Sequence, residues 1–288
     1  MKKKSFAEIG IIGGSGLYEI GGVGDVREVR LKTPFGSPSD AVVLGTLSGA
    51  RCAFLPRHGK GHRLLPTEIN YRANLYALKS LGVRQVLSLS AVGSLKEELA
   101  PRHFVFPDQL IDETKTRAYT FFGGGVVAHV SLADPFCPGL SLALFDASQK
   151  LSLKSHLGGA YICMEGPAFS SRAESQAHKK MGCSIIGMTA SPEAKLAREA
   201  EMCYAAAAMV TDYDVWKDDD GVNAAEVMAT LKVNSRNAKR LVAGVLPALL
   251  QRPACACQSA LKAAIITSPQ AIAPGIKKKL GLLIGKYV

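Results

Sequence analysis

EIGIIGGSGL, residues 8–17, begins as an apolar run and ends in Gly13, Gly14 and Gly16 around Ser15. A strand that enters a glycine-rich turn is a common phosphate cradle, because the backbone N–H groups of the turn point at the anion. A dinucleotide loop needs a third glycine, which the following LYE does not supply, and the lysine of a Walker loop is missing as well. The stretch therefore predicts a strand followed by a cradle for one phosphate, with a plain turn as the alternative.

Outward from this stretch, strand-like apolar runs alternate with helix-like segments along the whole chain. Residues 66–82 have a helical period, with Thr67 as a candidate cap and Gly82 as the stop. Alternation of this kind predicts an α/β fold with helices on both faces of a sheet. We expect one domain over residues 1–250, with residues 251–288 as a C-terminal extension packed on it.

The composition narrows the class of protein. The 288 residues are 48% hydrophobic and carry a net charge of +11, which favours anionic partners. The basic residues are scattered, however, and no nucleic-acid-binding module is recognisable, so a solvated basic surface is favoured over a nucleic-acid role. No apolar run is long enough to span a membrane, and no signal peptide develops after the basic start. We therefore expect a cytoplasmic protein without membrane partners.

Two further strand ends carry groups suited to an anion. In PRHGKGH, Arg57 and His58 directly follow a strand and stand beside glycines. In SLSAVGSL, Ser90 and the amide of Ala91 end a buried strand, where open α/β sheets place their ligands. Each stretch also reads as an ordinary loop. Together with Ser15 they suit a free phosphate.

Three later strand ends carry polar or adaptable side chains. Phe169 and Ser170 follow the turn in MEGPAFSS, and Met188 and Thr189 end the strand SIIGMT. The sequence TDYDVW places two aspartates two positions apart, on the same side if both lie in a strand. Core packing for the methionine, a helix cap for the aspartates and a metal-binding DxD are the alternative interpretations.

Taken in order, these stretches resemble the signature blocks of the trimeric purine nucleoside phosphorylases, and most closely their 5′-methylthioadenosine phosphorylase branch. The blocks are IIGGSGLY, RHGKGH with NYRANLYALK, SAVGSL, MEGPAFSSRAES, MTASPEAKLAREA and TDYDVWK, and the likeness spans roughly residues 8–250. It implies a nucleoside phosphorylase fold with a central mixed sheet. It also implies a pentosyltransferase of methionine and purine salvage that cleaves methylthioadenosine with phosphate, without a metal or an organic cofactor.

The resemblance assigns roles position by position. It implies phosphate contacts from Ser15, Arg57, His58, Ser90, Ala91 and Thr189. It places Met188 under the ribose, Phe169 and Ser170 beside the base, Ala224 and Val227 at the apolar 5′ end, and His129 in the neighbouring subunit's 5′ pocket. One position departs from the pattern, since many relatives have asparagine where this chain has Gly187.

The aspartates fit the expected chemistry. A leaving adenine gathers negative charge at N7 and needs a proton, which we assign to Asp214 as general acid. The 6-amino group donates hydrogen bonds, so Asp212 is expected to accept one and to favour adenine over 6-oxopurines. A purine nucleoside phosphorylase of broader specificity, accepting adenosine, inosine or guanosine, is the alternative. A nucleoside-binding protein without catalysis is a third, less favoured hypothesis.

The resemblance also concerns assembly and the cysteines. The family is trimeric, and the tail with CAC is similar to that of archaeal hyperthermophile members, some of which are hexamers and carry disulfides. By this analogy a thermostable homotrimer or homohexamer is implied, with Cys255–Cys257 and Cys137–Cys203 as candidate disulfides. The CxC spacing is not that of a zinc knuckle, so no metal site is expected from it.

Overall fold

The computed structural model describes residues 6–14, 21–217 and 224–288, apart from the side chains of 224–226. Its strands are β1 (Ile9–Gly13), β2 (Gly24–Val29), β3 (Val42–Leu47), β4 (Ala50–Pro56), β5 (Gln85–Ser94), β6 (Phe104–Phe106), β7 (Gln109–Asp112), β8 (Ser155–Leu157), β9 (Ala160–Cys163), β10 (Ile185–Gly187) and β11 (Cys203–Asp212). Its α-helices are α1 (Tyr71–Ser80), α2 (Pro138–Lys150), α3 (Arg172–Lys180), α4 (Ala190–Glu199), α5 (Ala224–Leu250) and α6 (Pro274–Ile284). Short 3₁₀ turns at Ala256–Ser259 and Pro269–Ala271 precede α6.

The strands form one mixed sheet in the order β2-β3-β4-β1-β5-β10-β9-β7, and β11 pairs with both β5 and β6. Strands β1, β4, β5 and β11 run parallel to one another, whereas β10 runs antiparallel to the last residues of β5. The prediction of an α/β fold with a central mixed sheet flanked by helices is thus confirmed. Strand β5 lies at the centre of the arrangement, because all the other strands that carry site residues lie next to it or one strand away.

The central strands form because they are apolar on both faces. Every residue of β1 is buried, and so are the first nine of the ten residues of β11. Fully buried strands of this kind are typical of sheets that are covered by helices on both sides. The opening stretch therefore does enter the sheet as a strand, as its apolar run predicts.

The helix predicted over 66–82 begins later than its pattern indicated. Its cap is Asn70, whose Oδ1 accepts a hydrogen bond from the N–H of Ala73 at 3.1 Å. The amide of Asn70 also donates to the carbonyl of Phe35 at 2.7 Å. Thr67 is not the cap, because the asparagine satisfies a free helix N–H and anchors the helix to a distant loop at the same time.

The C-terminal extension contributes to the core of the protein. Leu261, Leu280 and Ile284 are buried in the same apolar cluster as Ile12 and Leu75. The boundary at residue 250 stays a prediction, although α5 ends at that residue. Within the part of the chain that the structure describes, no helix is both long and apolar enough to cross a bilayer.

Candidate active site

The sheet register brings the predicted site residues together at β5. Gly93 of β5 is paired with Asp212 of β11 on one side and with Ile186 of β10 on the other. The antiparallel pairing therefore places the end of β10, which leads to Met188 and Thr189, beside the middle of β5. Ser90 and Ala91 lie on that part of β5, three and two residues from Gly93.

Arg57 lies directly after β4 and is 1% exposed. Its guanidinium forms a two-contact ion pair with Glu193 of α4, with Nη2 3.1 Å from Oε2. The guanidinium also donates to Ser88 Oγ at 2.6 Å and to the carbonyl of Leu89 at 3.0 Å. These contacts use four of its five N–H groups. A single Nη1 donor therefore remains for a ligand, and the phosphate contact that the resemblance implies for Arg57 stays a prediction.

Glu193 is a residue that the sequence analysis missed. It is fully buried, and besides Arg57 it accepts hydrogen bonds from Ser88 Oγ and from the hydroxyl of Tyr204, both at 2.9 Å. A buried carboxylate with this many donors balances the charge of Arg57. Its position inside the block MTASPEAK was the signal that could have identified it.

His58 is neutral in this site. Its Nδ1 lies 2.9 Å from the carbonyl of Leu64, which can only accept, so Nδ1 carries the proton and Nε2 is an acceptor. Burial, with the neighbouring Arg57 as the next cause, lowers the pKa of His58 to about 4. The ring also stacks on His62 at 4.2 Å between centroids. Arg57 is thus neutralised by Glu193 and the imidazole of His58 is uncharged, while the phosphate contacts implied for both residues stay predictions.

Ser90, Tyr161 and Thr189 form what we call the hydroxyl cluster. Burial raises the pKa of Tyr161, and the hydroxyls of Ser90 and Thr189 lie near enough to act in the opposite direction, although neither has the geometry of a hydrogen bond to Tyr161 OH. Tyr161 OH and Thr189 Oγ1 are buried without a hydrogen-bond partner among the described residues. Thr189 is also the first residue before α4, and its side chain makes no capping bond. Ser191, the second residue of α4, has a φ of −105° and a ψ of 134°, so regular helical geometry begins only after it. Unpaired buried hydroxyls are suited to a polar ligand.

Tyr161 explains the departure at Gly187. A Cβ added at Gly187 would lie 2.1 Å from Tyr161 OH and 3.1 Å from Val92 Cγ1. The tyrosine hydroxyl therefore occupies the space into which an asparagine side chain at 187 would extend. Tyr161 reaches this position from β9, which is paired in parallel with β10, so its hydroxyl is the polar group beside Gly187 in this chain.

Asp212 and Asp214 form what we call the carboxylate pair. Strand β11 ends at Asp212, whose Oδ1 accepts a hydrogen bond from the N–H of Asp214 at 2.8 Å. This is an Asx turn, and it holds Asp214 at a φ of 54°. Asp214 therefore lies beyond the strand, and the condition under which both aspartates would face the same side is not met. The chain turns after Asp212 because its own carboxylate competes for the backbone N–H.

The two carboxylates differ in their surroundings. Asp212 accepts a further hydrogen bond from Thr211 Oγ1 at 2.7 Å, and burial raises the pKa of Asp212. Asp214 is 7% exposed, and its Oδ2 has no partner within the described ranges. Both are packed over Gly93, where an added Cβ would lie 3.0 Å from Asp212 Oδ1 and 3.4 Å from Asp214 Cβ.

The turn after β9 places Phe169 and Ser170 at the surface of this region. Phe169 is 51% exposed, while Ser170 is buried with an unpartnered Oγ.

Arg117, also missed by the sequence analysis, donates to the carbonyls of Met188 and Glu165, both at 2.6 Å. This buried arginine therefore fixes the backbone on which Met188 lies. No sequence motif around Arg117 indicates that role.

The remaining predicted contacts are less defined. His129 has an exposed side chain. Its backbone N–H donates to the carbonyl of Ala264 in the extension at 2.8 Å. Val227 is half-buried near the start of α5. Ser15 and the side chain of Ala224 lie outside the described residues. The roles of these four residues stay predictions.

The four cysteines proposed as disulfide partners lie in one cluster, with all four sulfur atoms within 4.8 Å of one another. None of the seven cysteines is bonded to another. Within this cluster, the sulfur atoms of Cys203 and Cys255 lie 3.1 Å apart. The predicted pairs Cys255–Cys257 and Cys137–Cys203 are therefore not formed in this structure.

Comparison with known proteins agrees with this geometry. Residues 8–247 match the model of the phosphorylase superfamily. The chain is 55% identical over 282 residues to the S-methyl-5′-thioadenosine phosphorylase of Geobacter sulfurreducens, covering 97% of this chain and 99% of that one. It is 51% identical over 259 residues to the enzyme of the same name from Thermofilum pendens, covering 90% and 98%. Bacterial and archaeal relatives both appear, so the archaeal branch and the associated thermostability stay predictions.

Solved structures lead to the same family. A methylthioadenosine phosphorylase from an antarctic soil metagenomic library superposes with a TM-score of 0.93 at 47% identity, covering 97% of this chain and 99% of that chain. The Schistosoma mansoni methylthioadenosine phosphorylase in complex with adenine gives a TM-score of 0.84 at 35% identity, covering 90% and 99%. The chain belongs to the phosphorylase superfamily and, within it, to the S-methyl-5′-thioadenosine phosphorylases.

Proposed function

We propose that this protein catalyses phosphorolysis of 5′-methylthioadenosine, giving adenine and 5-methylthioribose 1-phosphate through the hydroxyl cluster and the carboxylate pair. The observation that carries the proposal is the set of unpartnered buried oxygens on Tyr161, Thr189, Ser170 and Asp214. Buried polar atoms are normally paired, and unpaired ones on residues of one site are available to a ligand. Three of these four residues are ones to which the family resemblance assigns ligand contacts.

Strand β5 sets the spacing between the two ends of the site. Ser90, in the hydroxyl cluster, and Gly93, under the carboxylate pair, are three residues apart, or ~10 Å along an extended strand. A phosphate beneath a ribose and the far edge of an attached purine are separated by a comparable span. A nucleoside with phosphate under its sugar therefore fits the distance between the hydroxyls and the carboxylates.

In the reaction, a phosphate oxygen forms a bond to C1′ of the ribose while the bond from C1′ to N9 of adenine breaks. The electron pair of the broken bond moves into the purine, and Asp214 donates a proton to N7. The sugar passes through an oxocarbenium-like state, which the phosphate anion stabilises as both nucleophile and counter-charge. No metal or organic cofactor takes part in these steps.

The phosphate is held by donors without a large excess of local positive charge. Thr189, Ser90 and Tyr161 donate their hydroxyl protons, and the neutral Nε2 of His58 accepts from a P–OH group. Orthophosphate near pH 7 carries both donor and acceptor oxygens, which suits this mixed set. Ser15 and the amide of Ala91 are proposed to complete the shell.

The test is adenine release from methylthioadenosine with and without inorganic phosphate, run beside adenosine and inosine. We expect release that depends on phosphate and is fastest with methylthioadenosine. Equal release without phosphate would indicate a hydrolase, and no release in either condition would indicate a binding protein. Inosine as the best substrate would favour the broader purine nucleoside phosphorylase.

Asp212 determines the base preference in this proposal, because its oxygen accepts from the 6-amino group. Asp212→Asn replaces an acceptor oxygen with an amide donor, which suits a 6-oxo group. We expect the ratio of kcat/KM for adenosine over inosine to fall by about 5- to 150-fold, since a mismatched buried polar pair costs ~1–3 kcal/mol. An unchanged ratio would contradict the assignment.

For assembly we propose a homotrimer, or a homohexamer of two trimers, in which His129 enters the 5′ pocket of a neighbouring subunit. Its exposed ring, on a segment tied to the extension at Ala264, supports this placement. We also propose a cytoplasmic location. Light scattering on the purified protein measures the subunit number, and a monomer with full activity would exclude a shared site.

A further inference from the structure

Four cysteines from three separate parts of the chain converge at one point. Cys137 directly precedes α2, Cys203 is the first residue of β11, and Cys255 and Cys257 lie at the start of the extension. Three of them are buried and Cys255 is half-buried, and each of the four sulfur atoms lies within 4.8 Å of the other three. None of them takes part in the active site described above.

The sulfur separations match a tetrahedral metal centre. Four thiolates that bind one ion at about 2.3 Å lie about 3.8 Å from one another, whereas the two sulfurs of a disulfide are about 2.05 Å apart. In the protein, the sulfurs of Cys137 and Cys255 are 3.8 Å apart and those of Cys203 and Cys255 are 3.1 Å apart. Both separations are longer than a disulfide bond; that of Cys137 and Cys255 equals the edge of a four-sulfur tetrahedron, and that of Cys203 and Cys255 is about 0.7 Å shorter than the edge.

Two arginines balance the charge that such a centre would carry. Four thiolates around a divalent cation leave a net charge of −2, which burial would penalise without compensation. Arg198 Nη1 lies 3.4 Å from the sulfur of Cys257, and Arg252 Nη2 lies 3.5 Å from that of Cys137. Arg252 is held in place by a 2.6 Å hydrogen bond from Nη1 to Gln85 Oε1. Oriented donors to the ligands are a regular part of metal sites in proteins.

We propose that Cys137, Cys203, Cys255 and Cys257 bind one Zn²⁺ ion in a tetrahedral, four-thiolate site. Zinc is the divalent ion typically found in closed Cys₄ sites, and four protein ligands leave no position for substrate or water. The site is therefore structural. It fastens the start of the C-terminal extension to α2 and β11, and it revises the sequence-based expectation that the chain has no metal site.

Zinc analysis of the purified wild-type protein, prepared without chelator, is the first test. We expect close to one zinc ion per chain by plasma mass spectrometry. Apoprotein that has been reduced and freed of metal should take up one equivalent of Co²⁺ under anaerobic conditions. It should then show the visible bands of tetrahedral cobalt and the near-ultraviolet bands of thiolate-to-cobalt charge transfer. Protein isolated without zinc that also lacks these cobalt bands would overturn the proposal.

A thiol count separates the metal site from two disulfides. Unfolded in guanidinium chloride with chelator and no reductant, a zinc protein has all seven cysteines reactive. Two disulfides within the cluster would leave only three reactive thiols, and that result would overturn the proposal.

Cys255→Ser/Cys257→Ser is the informative variant, because it removes two ligands on a surface-proximal turn. We expect zinc to fall from about one to near zero per chain and the cobalt charge-transfer bands to disappear. Cys183→Ser, at a buried cysteine outside the cluster, is the matched control and should keep both. Equal zinc content in the two variants would overturn the proposal. If the double variant does not fold, the measurements on the wild type still decide.

Discussion

The two ends of the active site solve the problem of burying charge in opposite ways. At the hydroxyl cluster, the nearby cation Arg57 is paired with Glu193 and the nearby imidazole of His58 is neutral. At the carboxylate pair, two acids lie together with one oxygen left without a partner. The end that receives an anion therefore offers donors without much free charge, and the end that releases the purine carries the proton-transfer groups.

This difference has a chemical reason. An anion held by a free arginine would be a poorer nucleophile and a weaker counter-charge for a ribosyl cation, because its charge would already be neutralised. Hydroxyl donors orient the phosphate while leaving it anionic. The carboxylate end, by contrast, must donate a proton during the reaction, and there the Oδ2 of Asp214 is left without a partner among the described residues.

The largest expected effect tests the carboxylate end. Asp214→Asn keeps a side chain that tolerates the φ of 54° at this position but removes the transferable proton. We expect kcat for methylthioadenosine to fall ~10²- to 10⁴-fold, the range for loss of a general acid. Steady-state kinetics measure it, and KM should change little. A variant with near-normal turnover would show that Asp214 is not the general acid. The carboxylate pair would then lose its assigned role in proton transfer.

The second prediction tests whether Arg57 stabilises the fold through its ion pair with Glu193. Arg57→Ala leaves Glu193 buried without its partner, so the free energy of unfolding should fall by ~3–5 kcal/mol. Urea unfolding measures this change. The control is Arg51→Ala, whose ion pair with Glu8 is 44% and 43% exposed and should contribute less than ~1 kcal/mol. A stable Arg57→Ala protein that loses only phosphate affinity would show that the guanidinium serves the ligand.

Asp214 and Arg57 also show how much of the fold and of the site can be predicted from the sequence alone. The alternation of apolar strands and helices predicted the fold because burial on both sheet faces depends on local composition. The family blocks led to Ser170, Thr189 and Asp214, whose unpaired oxygens are seen in the structure, although their roles stay predictions. The partner of Arg57 was not predictable, because Glu193 is 136 residues away and only the fold brings the two together.

The same limit applies elsewhere. The approach of Tyr161 OH to Gly187 depends on the pairing of β9 with β10, which no local pattern encodes. From the sequence, the four cysteines were predicted only as two separate disulfide pairs. Their convergence on a single point depends on where the extension returns to the sheet, and that is a property of the tertiary fold.

The third prediction uses pH to check that His58 is uncharged. Its pKa is about 4 in the folded protein against 6.5 in the unfolded chain, so the unfolded chain binds the proton more tightly between these values. The free energy of unfolding should therefore fall as the pH drops from about 6.5 towards 4, by ~2 kcal/mol between pH 7 and pH 5 from this group. His58→Gln, which does not titrate, should lose less stability by that amount in urea unfolding at the two pH values.

A cationic His58 stabilised by the fold would give the opposite sign. Its folded pKa would lie above 6.5, and stability would be lost as the pH rises. Wild-type and His58→Gln curves that run parallel between pH 7 and pH 5 would also contradict the neutral assignment. The sign of the difference therefore decides between the two pictures of the phosphate end.

The smallest expected effect tests whether the unpaired hydroxyl of Tyr161 is reserved for a ligand. Tyr161→Phe removes a buried group that has no partner among the described residues, so the unliganded protein should be equally or slightly more stable. KM for phosphate should rise about 2- to 12-fold, equivalent to the ~0.5–1.5 kcal/mol of one hydrogen bond. Tyr204→Phe is the matched control, since its hydroxyl donates to Glu193 at 2.9 Å and its loss should lower stability. If both variants lose stability alike and phosphate KM is unchanged, the Tyr161 hydroxyl has a structural partner and the site gains no donor in exchange for the missing asparagine.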